Sequence, residues 1–273
     1  MNQERRKTGN YKKFGLWEDR RLACHGSLSW KTGVSLVQDE EAGSLVAMTA
    51  ETAVFRSFSG LIFRVTSLLV ATRNPHKARE FREILGAQFE VNDLSTNPEI
   101  PETIESGKTF AENAILKAVA VSKEHPGLVI ADDSGLEVDA LGGAPGIFSA
   151  RYAGKHATDK ENVAKLLSEL ARVEPPRQQR GVRFCCVIAL ARDGKLLNTF
   201  DGVVEGGFVD SPRGKQGFGY DPVFVPNGFA ETFAELSADR KNRISHRAKA
   251  LEKVKQYLRD TSPPSSSSYS SSS

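Results

Sequence analysis

The segment Leu128-Val129-Ile130-Ala131-Asp132-Asp133-Ser134-Gly135 joins a short apolar run to two adjacent carboxylates. Four consecutive apolar residues before polar residues and a glycine predict a buried strand that ends at residue 131. Ligands bind at the carboxyl ends of strands in α/β sheets, so this end of the strand is a candidate site. Neighbouring side chains on a strand point to opposite faces, so the two aspartates need not serve one site. An Asp-rich turn without a ligand explains the same residues.

Two kinds of chemistry are open to such carboxylates. Mg²⁺ prefers one or two carboxylates together with phosphates and water. A carboxylate in the same position can orient or deprotonate an attacking water. Glu112 is a further acidic candidate, but its spacing from Thr109 is that of a capping box, and the residues alone favour the cap. The two roles of Glu112 are not exclusive in different ligand states.

Short apolar runs alternate with amphipathic segments on both sides of this strand, which predicts an α/β fold. A second buried strand is predicted over residues 68–71. Capping residues and apolar periodicity predict helices over residues 76–85, 110–123, 159–170 and 246–258. Apolar runs on either side of Asp193-Gly194 predict a β-hairpin from residue 182 to residue 204.

Three zones divide the chain. Residues 1–66 show no sustained period, and we expect a weakly ordered extension or translation from a start codon placed too early, with Met48 as an internal start. Residues 67–260 form the predicted folded domain. Residues 261–273 are almost all serine after two prolines, and we expect disorder because such a tail buries too little apolar surface.

Composition excludes several classes of protein. Apolar residues make up 39% of the 273 residues, and the apolar runs are far shorter than the ~20 residues that cross a bilayer. Residues 1–66 carry ten of the 37 basic and seven of the 34 acidic residues, so the remaining chain is electrically balanced. A neutral domain argues against binding to nucleic-acid polymers. Three cysteines without a C-x-x-C pair argue against a disulfide framework or a zinc ribbon, and fit a reducing cytoplasm.

Three further segments are candidates for ligand binding. Residues 72–77, Thr-Arg-Asn-Pro-His-Lys, join a strand to a helix, and this junction suits a phosphate unless it is only a helix start. Residues 214–222 place glycines beside aromatic rings, where a base can stack unless the segment is only a tight turn. Lys241 and residues 244–247 present basic groups near a helix start, or only a solvated first turn. Arg151 is open to two interpretations, a phosphate contact or a structural ion pair.

Seven blocks in this order resemble the inosine triphosphate pyrophosphatase family, also described as dITP/XTP pyrophosphatases. The blocks are residues 71–77, 109–114, 131–136, 142–146, 149–152, 217–222 and 244–247. The resemblance implies an elongated, two-lobed α/β domain with a long curved mixed sheet, flanking helices and an active-site cleft between the lobes. It further implies a cytoplasmic, homodimeric, Mg²⁺-dependent hydrolase. Such enzymes convert ITP, dITP and XTP to monophosphate and pyrophosphate and so cleanse the nucleotide pool.

The resemblance also implies a role for each matching residue. Asp133 would bind Mg²⁺ and accept a proton from the attacking water, and Glu112 would be a second metal ligand. The triphosphate would be held by Thr72, Arg73, Asn74, Pro75, His76 and Lys77. Ser134 would contact the substrate, and the nucleoside pocket would be lined by Phe218, Gly219, Tyr220 and Asp221. The phosphates or the base would meet Lys241, His246 and Arg247.

This sequence departs from the family pattern at two places. Arg73 stands where many members have a small residue, often Gly or Ser, and Lys215-Gln216 stands where a small residue and Gly are common. Two alternative functions stay open. One is a house-cleaning pyrophosphatase for other modified nucleotides, and the other is a nucleotide-binding or RNA-binding module without catalysis. The acidic site and the neutral charge of the domain argue against the second.

Overall fold

The computed structural model describes residues 65–173 and 181–261 with their side chains, and before residue 65 only the backbone of strands. The strands are β1 (Val34–Gln38), β2 (Leu45–Thr49), β3 (Ala53–Phe58), β4 (Leu61–Val70), β5 (Phe89–Asp93), β6 (Leu128–Val138), β7 (Val182–Arg192), β8 (Lys195–Phe208) and β9 (Phe224–Pro226). The helices are α1 (Pro75–Leu85), α2 (Phe110–Glu124), α3 (Asp159–Val173), α4 (Ala238–Ile244) and α5 (His246–Thr261).

One mixed sheet carries most of these strands, in the order β3-β4-β6-β7-β8-β9, and β5 also pairs with β4. β4 is parallel to β5 and β6, whereas β7, β8 and β9 extend the sheet in antiparallel pairs. β1 and β2 form a separate antiparallel pair. The predicted α/β class, with a mixed sheet and flanking helices, is therefore confirmed.

Helix starts lie where the capping signals predict them. Asn74 accepts hydrogen bonds from the first turn of α1, and Thr109 accepts the amide of Glu112 at the start of α2. Thr158 and Glu161 complete a reciprocal capping box before α3. The α2 prediction is correct to within one residue, and α3 and α5 each run three residues further than predicted.

The β7–β8 hairpin turns at Asp193-Gly194, as predicted. Both residues have positive φ, 51° and 71°, the combination that a type I′ turn requires. The sequence analysis did not predict β1, β2 and β3, which lie in the expected extension, nor β5, β9 and α4. β5 and β9 span only five and three residues, and α4 is a seven-residue helix directly before the Ser245 cap of α5.

β6 is longer than the sequence predicts. The strand was expected to end at residue 131, but its ladder with β7 continues without interruption from Val129 to Val138. The two aspartates therefore lie in the middle of a strand rather than in a turn after it. This position is tolerated because basic side chains from neighbouring helices neutralise the carboxylates, as described below.

The predicted domain boundary at residue 67 falls inside β4, which begins at Leu61. β3 and β4 pair from Ala53 to Thr66, so part of the expected extension carries strands of the main sheet. Residues 1–33 and the serine-rich segment 262–273 lie outside the described residues, and the expectations for them stay expectations. Among the described residues, every helix is too short or too polar to span a bilayer.

Three hydrophobic clusters surround the sheet. One packs α1 and α5 on one face of the first half of β6, and its members include Leu68, Phe81, Ile130 and Leu251. Another packs α2 on the opposite face, with Ala114, Ala118, Val129 and Ala131. The third surrounds the second half of β6 with α3 and aromatic residues, including Leu136, Leu166, Phe224 and Phe233. The polar residues 132–134 thus lie on β6 between two apolar halves.

Candidate active site

Asp132 occupies the face of β6 that packs against α1 and α5. Its Oδ2 lies 2.7 Å from Nη2 of Arg247 and 3.1 Å from Nζ of Lys77, and it accepts a hydrogen bond from the hydroxyl of Ser134. Burial alone would raise the pKa of this carboxyl, but the positive charges of Lys77, Arg247 and Lys117 hold it well below its usual range. Asp132 is therefore a permanent anion that fixes the cations around it.

Glu80 extends this arrangement from α1. One of its carboxylate oxygens binds Nη1 of Arg247, and the other lies 2.8 Å from Nζ of Lys241. Lys241 in turn lies 2.5 Å from Oδ2 of Asp221. Six side chains of alternating sign thus form a continuous row, which we call the charged row: Lys77, Asp132, Arg247, Glu80, Lys241 and Asp221. Its two signs balance, which limits the cost of burying it.

Asp221 ties the charged row to the glycine-rich loop before it. Its Oδ2 accepts the amide of Phe218 at 2.8 Å, and a Cβ on Gly217 would lie 2.0 Å from the same oxygen. Gly217 has a φ of 74°, so both its backbone conformation and the close approach require glycine. The ring of Phe218 stacks on His76 with centroids 5.4 Å apart. This loop is therefore held against the first turn of α1.

The predicted nucleoside-pocket residues divide into two groups. Phe218 and Gly219 are half-buried, and the amide of Gly219 donates to Asp159 at 2.6 Å. Tyr220 and Asp221 are buried, and the Tyr220 hydroxyl donates to the carbonyl of Ser149 at 2.9 Å. Tyr220 and Asp221 thus support the loop through buried hydrogen bonds to backbone groups. Lys215 and Gln216, the unusual pair before it, are exposed, and both donate their amides to the carbonyl of Ala234.

The segment 72–77 has its expected place between β4 and α1. Oδ1 of Asn74 accepts the amides of His76 and Lys77 at 2.9 and 3.2 Å, so these two donors are already satisfied within the protein. The positive end of the helix dipole, the ammonium of Lys77 and the Nδ2 donors of Asn74 are the groups with which this segment can attract an anion. Pro75 occupies the first helical position, and Thr72 accepts the amide of Asn74.

Arg73 does not extend this anion site. Its guanidinium donates to the carbonyl of Leu94 at 3.0 Å and to the carbonyl of Ile100 at 2.6 Å. Leu94 also donates its amide to the carbonyl of Thr72. Arg73 therefore fastens the loop after β5 to the phosphate-site candidate. This arrangement gives a structural reason for an arginine where a small residue is common.

Asp133 occupies the opposite face of β6, beside α2. Its Oδ2 accepts Nδ2 of Asn113 at 3.0 Å, and its Oδ1 lies 3.6 Å from Nζ of Lys117. Burial raises the pKa of this carboxyl despite the positive charge of Lys117. Lys117 is shared, because it also donates to Glu105 at 2.9 Å and to the carbonyl of Asp132 at 2.6 Å.

Glu112 and Arg151 have structural partners in this arrangement. Glu112 is exposed, its amide donates to Thr109, and its Oε2 accepts the amide of Lys108 at 2.6 Å. Thr109 therefore caps α2 as predicted, while the Glu112 side chain reaches back to the amide of Lys108 and not to that of Thr109. Arg151 lies 3.4 Å from Glu105, so the ion-pair interpretation describes this state of the protein.

His246 and Arg247 are almost wholly buried at the start of α5, with 4% and 1% of their surfaces exposed. The His246 ring stacks on Phe184 at 4.7 Å between centroids. Burial, together with the nearby charges of Arg247 and Lys241, lowers the pKa of this imidazole well below its usual range, so it is neutral at pH 7. The alternative of a solvated first turn of a helix is therefore excluded for both residues.

The structure joins four of the predicted residues, Lys77, Arg247, Lys241 and Asp221, to Asp132 of β6 through the charged row. Asp132, one of the two candidate carboxylates of the sequence analysis, received no role from the family resemblance. Four residues in contact with the predicted ones were not predicted as site residues: Glu80, Glu105, Asn113 and Lys117. The sequence contains a signal for two of them. Glu80 lies three positions after Lys77, so the two share one face of α1. Lys117 lies four positions after Asn113, so the two share the face of α2 that contacts β6.

The fold and these contacts define an α/β protein with a buried acid–base site in the middle of a mixed sheet. A family model described as the Ham1 family matches residues 68–257. The chain belongs to the Ham1 family.

Relatives and solved structures agree with this assignment. A dITP/XTP pyrophosphatase of Bacillus subtilis is 48% identical over 191 residues, which are 70% of this chain and 96% of that protein. A dITP/XTP pyrophosphatase of Geobacter sulfurreducens is 50% identical over 196 residues, 71% of this chain and 97% of that protein. The structure of a HAM1 protein from Coxiella burnetii has a TM-score of 0.64 and 41% identity, and the match covers 71% of this chain and 99% of that one.

Proposed function

We propose that this protein hydrolyses the deaminated purine nucleoside triphosphates ITP, dITP and XTP to the monophosphate and pyrophosphate. One observation carries the proposal: of two neighbouring residues of β6, Asp132 binds the cations Lys77 and Arg247, and Asp133 is a buried carboxylate of raised pKa. The names of the relatives support the substrate class. Removal of these nucleotides before polymerases use them is the cellular role that we propose.

The triphosphate would enter beside the first turn of α1. Positive potential is provided there by the dipole of α1 and by the ammonium of Lys77. The Lys77 side chain is 19% exposed. Asp132 holds Lys77 in place, so little reorganisation is needed when a phosphate arrives. Positioning and charge neutralisation are the main requirements of phosphoryl-type transfer, and these residues can supply both.

Asp133 is the proposed proton acceptor for the attacking water. Its Oδ2 is occupied by Asn113, and Oδ1 is the oxygen that remains for a proton or a cation. A pKa raised by burial makes the carboxylate a better base near neutral pH. Lys117, next to Asp133, is placed to balance the charge of the site as the proton moves.

The donor set around Asp133 fits Mg²⁺. Oδ1 of Asp133 is a hard oxygen ligand that makes an ion pair but no hydrogen bond with the described residues, and the substrate phosphates would supply further oxygens. Asp133 would hold the ion, and Glu112 could join only by releasing the amide of Lys108. When bound, Mg²⁺ would neutralise phosphate charge and polarise the bond that is cleaved.

The base would be selected by hydrogen-bond donors. Hypoxanthine and xanthine carry a keto oxygen at position 6, whereas adenine carries an amino group there. A site built from donors leaves one of them unpaired when adenine binds, at a cost of about 1–3 kcal/mol. The charged row offers Lys241 as a donor, because its ammonium lies 4.9 Å from the centroid of the Phe218 ring. Rejection of guanine, which shares the keto group, requires a different contact.

A substrate panel tests this proposal. ITP, dITP, XTP, GTP and ATP are supplied at equal concentration with Mg²⁺, and pyrophosphate release is measured for each. The proposal predicts release from the first three, with little from GTP and ATP. Equal release from all five, or a preference for a modified pyrimidine added to the panel, would contradict the base preference.

A cytoplasmic homodimer is the assembly that we propose, because the family resemblance implies it. Sedimentation of the full chain tests the assembly. Twice the mass of the chain at micromolar concentration is expected, and a species of single mass at every concentration would contradict it.

A further inference from the structure

Asn113 is the only residue among those described whose side chain donates a hydrogen bond to the Asp133 carboxylate. It lies on the first turn of α2 and has no exposed surface. Nδ2 donates to Oδ2 of Asp133 at 3.0 Å, and Oδ1 accepts the amide of Gly107 at 2.8 Å. A flipped amide would place its oxygen against the carboxylate and its nitrogen against an N–H group, so the two contacts fix one orientation.

The Gly107 contact depends on a close approach of the loop. A Cβ on Gly107 would lie 2.7 Å from Oδ1 of Asn113 and 2.9 Å from its backbone nitrogen. The next amide, that of Lys108, is accepted by Glu112. The loop before α2 is thus fastened to two consecutive side chains of the first turn. One of them, Asn113, passes this constraint directly to Asp133.

Asp133 has two partners that pull in different directions. Asn113 holds Oδ2, while the Lys117 ammonium lies 3.6 Å from Oδ1 and is also engaged by Glu105 and the carbonyl of Asp132. Without the Asn113 donor, the carboxylate is free to rotate towards the ammonium. An acid–base group that moves by a fraction of an ångström loses much of its effect, because proton transfer requires a defined geometry.

We propose that Asn113 is a positioning residue that orients the Asp133 carboxylate for proton transfer; the inference rests on the proposed hydrolysis. Asn113 touches neither substrate nor reacting atoms and acts through Asp133. Its removal therefore lowers kcat and leaves substrate binding close to that of the wild type, because Asp133 itself is retained for Mg²⁺ and Lys77 attracts the phosphates from the opposite face of β6.

Asn162 provides a matched control. It is also an asparagine with only 2% of its surface exposed, and it also bridges a helix and a loop. Oδ1 of Asn162 accepts the amide of Ala153 at 2.8 Å, and Nδ2 donates to the carbonyl of Ala150 at 3.2 Å. Both partners are backbone groups outside the carboxylate clusters. Substitution of Asn162 thus measures the structural cost of losing a buried amide.

The experiment compares Asn113→Asp and Asn113→Ala with Asn162→Asp and Asn162→Ala in the full chain. Asn113→Asp keeps an acceptor for Gly107 and replaces the amide donor to Asp133 with a second carboxyl group. Asn113→Ala removes both contacts without adding a buried charge. Steady-state kinetics with ITP and calorimetric binding of inosine monophosphate are measured for each variant, with unfolding temperature as the test of folding.

The expected result is a fall in kcat of about 100-fold in both Asn113 variants. KM and monophosphate affinity are expected to stay near wild type. The Asn162 variants are expected to lose unfolding temperature but keep kcat. A wild-type kcat in either Asn113 variant, or equal losses of kcat in the Asn162 variants, would overturn the inference about Asn113 and leave the proposed function standing. A wild-type protein that releases no pyrophosphate would overturn the proposed function and this inference with it.

Discussion

Asp132 and Asp133 are neighbours on β6, yet their carboxylates lie on opposite faces of the sheet and have pKa values shifted in opposite directions. Both are buried, which by itself raises a carboxyl pKa. Asp132 meets Lys77 and Arg247 directly, whereas Asp133 receives one amide donor and a shared ammonium. Asp132 is therefore suited to hold charges in place, and Asp133 to accept a proton.

This difference predicts unequal effects of the same substitution on stability. Asp132→Asn leaves the buried Arg247 and the half-buried Lys77 without their shared counter-charge, and we expect the free energy of unfolding to fall by about 3 kcal/mol. Asp133→Asn removes a carboxylate whose ionisation is opposed by burial, and we expect no loss of stability. Urea unfolding at pH 7 measures both, and equal losses in the two variants would refute the assignment of roles.

Glu80, like Asp132, binds two cations of the charged row. It contacts Lys241 and Arg247 through separate carboxylate oxygens. Glu80→Gln keeps the shape of the side chain and removes its charge. We expect a loss of about 3 kcal/mol in the free energy of unfolding, since the two cations stay buried. Glu83→Gln, on an exposed position of the same helix, is the control and should cost less than about 1 kcal/mol. Similar losses in both variants would contradict the central place of Glu80.

The pH dependence of stability follows from the same groups. The pKa of His246 is lowered by burial, so the unfolded chain takes up a proton first as the pH falls below about 6.5. Stability from neutral His246 is therefore present above that pH and is lost as the pH decreases. The lowered pKa values of Asp132 and Glu80 add a further loss below about pH 4.

His246→Gln isolates the first of these losses. Urea midpoints between pH 5 and pH 7.5 are expected to change less with pH in this variant than in the wild type. His125, whose pKa burial also lowers, is present in both proteins and cancels in the comparison. Parallel pH curves for the two proteins would mean that His246 does not titrate as described.

Gly202 sets the position of α5. A Cβ there would lie 2.0 Å from the carbonyl oxygen of His246 and 2.7 Å from the amide of Ala250. We expect Gly202→Ala to displace the start of α5 and to cost about 1–3 kcal/mol. Gly207 lies on the same strand with open space at its Cβ position, so Gly207→Ala is the control and should be neutral. Tolerance of Gly202→Ala, with unchanged urea unfolding, would contradict this packing.

Local signals in the sequence predicted local structure well. The caps at Asn74, Thr109, Thr158 and Ser245 all lie where they were expected, because a cap depends on residues within three positions of itself. The Asp193-Gly194 turn was predicted for the same reason. The family resemblance named Lys77, Lys241 and Arg247, which lie together in the charged row.

The sequence could not show which residues far apart in the chain become partners, and these partners decide the role of several site residues. Asp132 and Asp133 were interpreted as the end of a strand, because adjacent carboxylates are rare inside a buried strand. Arg247, the cation that stabilises Asp132 within β6, lies 115 residues away and could not be placed from the sequence. Glu80 was not predicted as a site residue, because its partner Lys241 lies 161 residues further along the chain. Arg73 suggested a phosphate ligand, but its partners are the carbonyls of Leu94 and Ile100.

The most direct test of the account is the product ratio from ITP and Mg²⁺, with Asp133→Asn assayed in parallel. Pyrophosphate, orthophosphate and inosine monophosphate are counted separately. The account predicts equal amounts of pyrophosphate and inosine monophosphate, no orthophosphate, and a loss of at least about 100-fold in turnover in a folded Asp133→Asn variant. Orthophosphate with inosine diphosphate, or near-normal turnover without the Asp133 carboxylate, would contradict it.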